Sequence, residues 1–280
     1  MSLQNKIQQS IELIRKTEKL ALEYDPRGFH LAFSGGKDSQ VLYELTKMAG
    51  VKFYAEMSVT TVDPPELMKF VREKYPDVKL NRPKMNMYRL IRKKKMLPLC
   101  NVRYCCAILK EQAGAGTVTL IGIRAAESSR RARRNEVEIK GYKFSGSLDQ
   151  FNNYRETQVG CVNGKDKVLI SPIFRWTDSD VWNFIRSQNI PYCKLYNEGF
   201  TRIGCMFCPM ATPRTKKIEL QKYPGVVRAY KMAIQHCINE NAYGNKYNMS
   251  ADEIFDCWIN NQNFATVVGK RAQTEINFEL

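Results

Sequence analysis

The stretch Phe29-His30-Leu31-Ala32-Phe33-Ser34-Gly35-Gly36-Lys37-Asp38-Ser39 decides the fold. Its first five residues are an apolar run of strand length. Two glycines then break the run, and residues 40–49 read as a helix. A strand that turns through glycine into a helix forms an anion site. The glycines let backbone approach a ligand without Cβ clashes. The helix start offers unpaired N–H groups and about half a positive charge. Ser34 and Ser39 add hydroxyls, Lys37 adds a full charge, and Asp38 is placed to hold magnesium or to cap the helix.

Outward from that stretch, strand and helix signals alternate. Residues 52–57 read as a strand and 64–75 as a helix with proline near its first turn. Residues 117–121 form a β-branched run that ends at Gly122, and 168–174 read as a last core strand. This alternation predicts βαβ units, a mostly parallel doubly wound sheet and the α/β class. Thr177 is expected to cap a helix over 178–187. Ile7, Ile11, Ile14 and Leu20 lie at helical spacing in the first 24 residues. They predict an amphipathic helix rather than a secretory leader. Between 135 and 167 the pattern loosens, which reads as an insertion or flexible excursion. After Pro209 the chain reads as helices over 214–223, 226–239 and 251–261, the last opened by a capping box at Ser250 and Glu253. The expected division is a nucleotide-binding domain over 1–212 and a small helical lobe over 213–280.

No apolar run reaches the roughly 20 residues needed to span a bilayer. With no export signal, a reducing, cytoplasmic compartment is expected, so the nine cysteines do not read as a disulfide framework. Cys105-Cys106 and Cys205-Met206-Phe207-Cys208 stand out as two pairs. Four thiolates from two segments suit a [4Fe–4S] cluster or zinc, and the adjacent pair favours the cluster. A redox dithiol at Cys205 and Cys208 and plain buried thiols are the alternatives. Cys100, Cys161, Cys193, Cys237 and Cys257 are scattered and read mainly as small buried hydrophobes. Only His30 and His236 are present, which disfavours a histidine metal centre or a serine-hydrolase triad.

The formal net charge is +16, from 44 basic and 28 acidic residues. From Arg89 to Arg134 there are twelve Lys and Arg against two Glu, a net of +10. Such a stripe attracts polyanions: RNA, DNA or a multiply charged nucleotide.

The loop at 34–39 is not a Walker A sequence. It resembles the PP-loop of the ATP pyrophosphatase superfamily, Ser-Gly-Gly-x-Asp-Ser. Further matches are Arg103-Tyr104-Cys105-Cys106, Gly122-Ile123-Arg124-Ala125-Ala126-Glu127-Ser128, Pro172-Ile173-Phe174-Arg175-Trp176-Thr177 and Gly204-Cys205-Met206-Phe207-Cys208-Pro209. Together they resemble the phosphoadenosine-phosphosulfate (PAPS) reductase family over roughly 27–215. The resemblance implies an adenine nucleotide alpha-hydrolase-like fold, with ATP, PAPS or adenylyl sulfate (APS) and Mg2+ on Ser34, Gly35, Gly36, Lys37, Asp38 and Ser39. It also implies that Thr61, Asp63, Arg124, Glu127 and Arg130 lie near the nucleotide, with Lys37, Asp38, Arg124 and Glu127 in catalytic roles. The expected activity is adenylation of tRNA or DNA followed by sulfur transfer from a donor protein. The alternatives are an APS or PAPS reductase served by thioredoxin, and a non-catalytic nucleotide- or cluster-binding module. The family's reductases use a Glu-Cys-Gly-x-His motif, which these 280 residues lack. Cys257 is the nearest stand-in.

Overall fold

A computed structural model describes residues 1–139, 144–157, 167–241, 248–263, 265 and 267. In chain order the elements are α1 (Leu3–Tyr24), β1 (Phe29–Ala32), α2 (Lys37–Ala49), β2 (Phe53–Ser58), α3 (Pro65–Lys74), β3 (Lys79–Asn81), α4 (Met87–Lys94) and α5 (Tyr104–Leu109). Then come β4 (Val118–Leu120), α6 (Ser129–Ala132), β5 (Val137–Ile139), β6 (Phe144–Gly146), α7 (Leu148–Thr157), β7 (Val168–Ile170) and α8 (Asp178–Ser187). The series closes with α9 (Pro213–Lys222), α10 (Pro224–Asn239) and α11 (Ala251–Ile259).

The described residues form one seven-stranded sheet of order β3-β2-β1-β4-β7-β5-β6. β3, β2, β1, β4 and β7 run parallel, while β5 pairs antiparallel with both β7 and β6. Phe29, Leu31, Val118, Leu120, Val168 and Ile170 have no exposed surface. This is how interior strands of a sheet covered on both faces behave, and it explains their unbroken apolar runs. From β1 the chain builds outward to β2 and β3, then returns to place β4 on the other side. The order therefore switches between β1 and β4, and the loops after those two strands flank the switch point.

The stretch expected to be an insertion or flexible excursion contributes β5 and β6 to this sheet, and helix α7 follows them. Its alternation was too short to read because β5 and β6 hold three residues each. Residues 140–143 and 158–166, including Cys161, lie outside the described residues.

The chain divides into two compact units. The larger comprises Met1–Ser58, Pro65–Asn81 and Gln112–Ile203 and holds the whole sheet. The smaller comprises Val59–Pro64, Arg82–Glu111 and Gly204–Leu280. The sequence reading placed 82–111 with the nucleotide domain and drew its boundary at 212. Packing groups α4 and α5 with the C-terminal helices instead. Tyr88 of α4 meets Tyr230 of α10 edge-on at 5.4 Å, and the Cys237 thiol of α10 donates to the Ile91 carbonyl at 3.9 Å. Among the described residues no helix is long and apolar enough to cross a membrane.

Candidate functional site

β1 ends at Ala32 and α2 begins at Lys37, so Ser34, Gly35 and Gly36 make the turn. Gly35 has φ +72°, and a Cβ there would meet Val71 at 2.7 Å and Leu67 at 2.8 Å. Only glycine suits both the backbone and the space. Gly36 caps α2 without a side-chain bond. Ser39 Oγ donates to the Gly36 carbonyl at 2.8 Å and accepts the Ser34 amide at 3.2 Å, which closes the turn on itself. The Gly122 position after β4 lies against the Asp38 peptide, where a Cβ would stand 3.1 Å from the carbonyl carbon and oxygen. The two loops at the switch point thus touch through backbone.

The charged groups form one network. Arg124 is buried, and its Nε donates to Asp38 Oδ1 at 2.6 Å. Its two terminal nitrogens reach Asp178 Oδ1 at 3.0 Å and the Trp176 carbonyl at 3.4 Å. Lys37 is also buried but held loosely, with Nζ 3.2 Å from Asp178, 3.5 Å from Asp38 and 3.4 Å from the Thr201 carbonyl. Its amide donates to the Tyr196 hydroxyl at 2.8 Å. Burial raises the Tyr196 phenol above its usual range, so it stays protonated. The Trp182 ring meets Tyr196 edge-on at 5.1 Å and holds it over the loop.

The sequence reading singles out Ser34 to Ser39 and Arg124, and the structure brings Asp178 and Tyr196, which it passes over, into contact with them. Asp178 read only as a first-turn acid that suits the helix dipole. Tyr196 lies in no motif, 159 residues from its partner Lys37. The sequence leaves Asp38 either to hold magnesium or to cap the helix. Its carboxylate instead faces Arg124 and Lys37, a donor engaged by two cations and ill suited to a divalent ion. Glu127 accepts from the Arg124 amide at 3.1 Å and pairs with Arg131, closing a capping box. Its carboxylate shapes the loop. Arg130 is exposed, with no partner among the described residues. Thr61 and Asp63 belong to the smaller unit. There Thr61, at φ +68°, accepts the Met87 amide at 2.9 Å, and Asp63 accepts the Thr60 amide at 2.6 Å.

The basic stripe is less uniform than its composition. Arg131 pairs with Glu127, Arg134 with Glu138 and Lys95 with Glu240. Arg92, Lys93 and Lys94 occupy the last turn of α4, where cations complement the helix dipole.

The four singled-out cysteines all fall in the smaller unit. A hydrogen bond from Cys105 draws the Cys106 thiol down to about 6, making it the thiolate of the pair, while Cys105 is pushed up by the same bond and by burial. The Lys110 ammonium is strengthened first by Cys205, to which it is also hydrogen-bonded, and further by Asp63 and Cys106. Burial raises Cys208, with Cys205 and Cys106 adding to the shift. The thiols therefore share one electrostatic neighbourhood. They do not form the closed shell expected: among the described residues no group of three or more His, Cys, Asp or Glu is placed to hold a metal ion. Cys257 is buried and its thiol is pushed up by burial, opposite to what a nucleophile needs.

A family model for the phosphoadenosine phosphosulfate reductase domain matches residues 28–211. The chain belongs to this family. A PAPS reductase of Xanthomonas axonopodis pv. citri is 27% identical over 69% of this chain and 77% of its own length. An uncharacterized protein of Methanocaldococcus jannaschii is 29% identical over 75% of this chain. The chain spans only 43% of that relative's length. Among solved structures, Candida glabrata FMN adenylyltransferase aligns with TM-score 0.48 at 18% identity, covering 72% of this chain and 63% of that one. The family domain includes the loop, Arg124, Asp178, Tyr196 and the four cysteines, and ends before α9.

Proposed function

We propose that this PAPS reductase family member binds ATP or a related adenine nucleotide at residues 34–39 and adenylates a substrate for sulfur transfer. The observation that carries the reading is the glycine turn at the switch point, with Lys37, Asp38, Arg124 and Asp178 networked behind it. Crevices at such points are where open α/β sheets take ligands. Arg124, bonded at 2.6 Å, anchors the network, while Lys37, with no contact under 3.2 Å, is the cation free to turn to phosphate. A substrate oxygen attacks the α-phosphorus, the bond to the β-phosphate oxygen breaks, and pyrophosphate leaves. Lys37 and the loop amides stabilise the developing charge. A sulfur nucleophile from a donor protein then displaces AMP from the activated carbon.

The donor set of Cys105, Cys106, Cys205 and Cys208 fits a thiolate-bound group in its chemistry, a [4Fe–4S] cluster before zinc. When bound, such a cluster supplies iron on which sulfide can rest. Lys110, hydrogen-bonded to Cys205 and in electrostatic reach of Cys106, would offset their negative charge. The acceptor we favour is nucleic acid, tRNA or DNA, on the grounds of net charge. Exposed Arg130 and the α4 cations Arg89, Lys93 and Lys94 support this.

The test is purified protein with ATP and Mg2+, assayed for pyrophosphate with and without nucleic acid. We expect release that depends on both the acceptor and Lys37. No release with any nucleic acid tested would remove the adenylation reading. A second reading, reduction of APS or PAPS with thioredoxin as donor, is favoured by the Xanthomonas relative's name. The burial of Cys257 weighs against it, and a Cys257→Ser protein with full reductase activity would exclude that thiol as the nucleophile.

A further inference from the structure

Helix α9 is built inside out. Its buried residues are Lys216 and Glu219, and Leu220 is 38% exposed. A helix ordinarily turns its apolar side inward, because burying charge costs free energy unless each charge finds a partner. Both charges have one. Lys216 Nζ donates to the Ile259 carbonyl at 2.8 Å. Glu219 Oε2 accepts the Phe207 amide at 2.8 Å.

Phe207 is the third residue of Cys205-Met206-Phe207-Cys208, and its backbone is strained. It has φ +56°, a conformation that costs a bulky residue about 1–3 kcal/mol and persists only where the surroundings enforce it. The surroundings engage the whole turn. The Met206 amide donates to the Val62 carbonyl at 2.8 Å, and the Tyr230 hydroxyl reaches the Met206 carbonyl at 3.4 Å. The Cys208 amide returns to the Cys205 carbonyl at 3.3 Å. The Phe207 ring is buried edge-on against Tyr230 and Phe255, at 5.9 Å from each. Glu219 supplies the only side-chain acceptor among these contacts, from a helix outside the matched family domain.

We infer that Glu219 is the positioning residue of the Cys205–Cys208 turn: its carboxylate fixes the Phe207 peptide and so sets the spacing and direction of the two thiols. The inference rests on the proposed reading of these thiols as ligands only for what they bind. The positioning itself is read from geometry. Groups that orient ligands from behind typically change metal affinity about 10- to 100-fold when removed. A glutamine side chain of the same length keeps one carbonyl acceptor, so it would replace the carboxylate only in part.

The experiment uses the full chain, reduced and metal-free, titrated with Zn2+ against a chromophoric chelator. Iodoacetamide alkylation of Cys205 and Cys208 is followed in parallel by mass spectrometry. Glu219→Ala and Glu219→Leu remove the acceptor, the second while filling its space. Glu219→Gln keeps an acceptor, and Leu220→Ala is the control on the exposed face. We expect Zn2+ affinity to fall about 10- to 100-fold in the Ala and Leu proteins, to recover partly in Gln and to stay unchanged in the control. Unchanged circular dichroism would separate this from unfolding. Wild-type affinity and wild-type alkylation rates in a folded Leu protein would overturn the inference. A wild-type chain that binds no Zn2+ would refute the ligand reading alone. Alkylation then decides the positioning: altered relative rates at Cys205 and Cys208 support it, and identical rates overturn it.

Discussion

Lys37 and Arg124 are both buried cations beside Asp38, and the distances separate their roles. Arg124 makes three charge-assisted or carbonyl bonds, the shortest 2.6 Å, whereas every contact of the Lys37 ammonium is longer than 3 Å. Arg124→Ala should therefore cost about 1.5–3 kcal/mol in urea unfolding, the range for hydrogen bonds to charged groups. Lys37→Ala should cost clearly less, yet weaken ATP binding about 10- to 100-fold by calorimetry, or 1.4–2.8 kcal/mol. Equal stability losses in the two proteins would refute the division. Tyr196 bears on the same amides. Its hydroxyl occupies the Lys37 N–H that a phosphate would use. In Tyr196→Phe that donor is released, and nucleotide affinity should rise several-fold, equivalent to about 1 kcal/mol for one hydrogen bond. Weaker binding would mean that the hydroxyl instead turns to the ligand.

Helix α8 shows what local chemistry can and cannot announce. Thr177 accepts the Asp180 amide at 3.2 Å, and Asp180 accepts back from the Thr177 amide at 2.7 Å, a reciprocal cap legible in the spelling Thr-Asp-Ser-Asp. The same Asp180 also pairs with Lys6 of α1 at 2.5 Å, which no local pattern reveals. Thr177→Ala should lower stability by about 1 kcal/mol, read as a fall in urea midpoint with unchanged slope. No change would mean that the Lys6 pair holds the helix start alone. The same limit runs through the fold. β1, α2 and their glycine turn were legible because apolar run, breaker and helix period coincide within 21 residues, from Phe29 to Ala49. β3 and α5, with three and six residues, carry too few periods to be read. α9 was legible as a helix from its spelling, but not its inward-facing charges, because Glu219 finds its partner only through the turn at Phe207. Tyr196 was illegible for the same reason: its role comes from a distant amide.

Across the whole molecule, the sheet that carries the site also buries His30. Its Nδ1 stands 3.1 Å from Thr119 Oγ1, and its Nε2 has no hydrogen-bond partner among the described residues, with Glu56 at 3.6 Å. Burial, aided by Lys167, draws the ring from 6.5 down to about 4. Between those values the unfolded chain binds a proton that the folded one refuses, so stability should be full above about pH 6.5 and drain as pH falls towards 4. His30→Gln should flatten that slope in urea titrations at pH 7, 6 and 5. A slope unchanged from wild type would clear His30 of the effect.

Gly122 ties this back to the loop at 34–39. Having no side chain, it lies close against the Asp38 peptide, where even a Cβ would stand only 3.1 Å from the carbonyl. The turn after β1 cannot shift without nudging the turn after β4. The Gly122 amide resonance should then act as an internal gauge of occupancy, moving in step with nucleotide saturation although the residue itself offers a ligand nothing to grip.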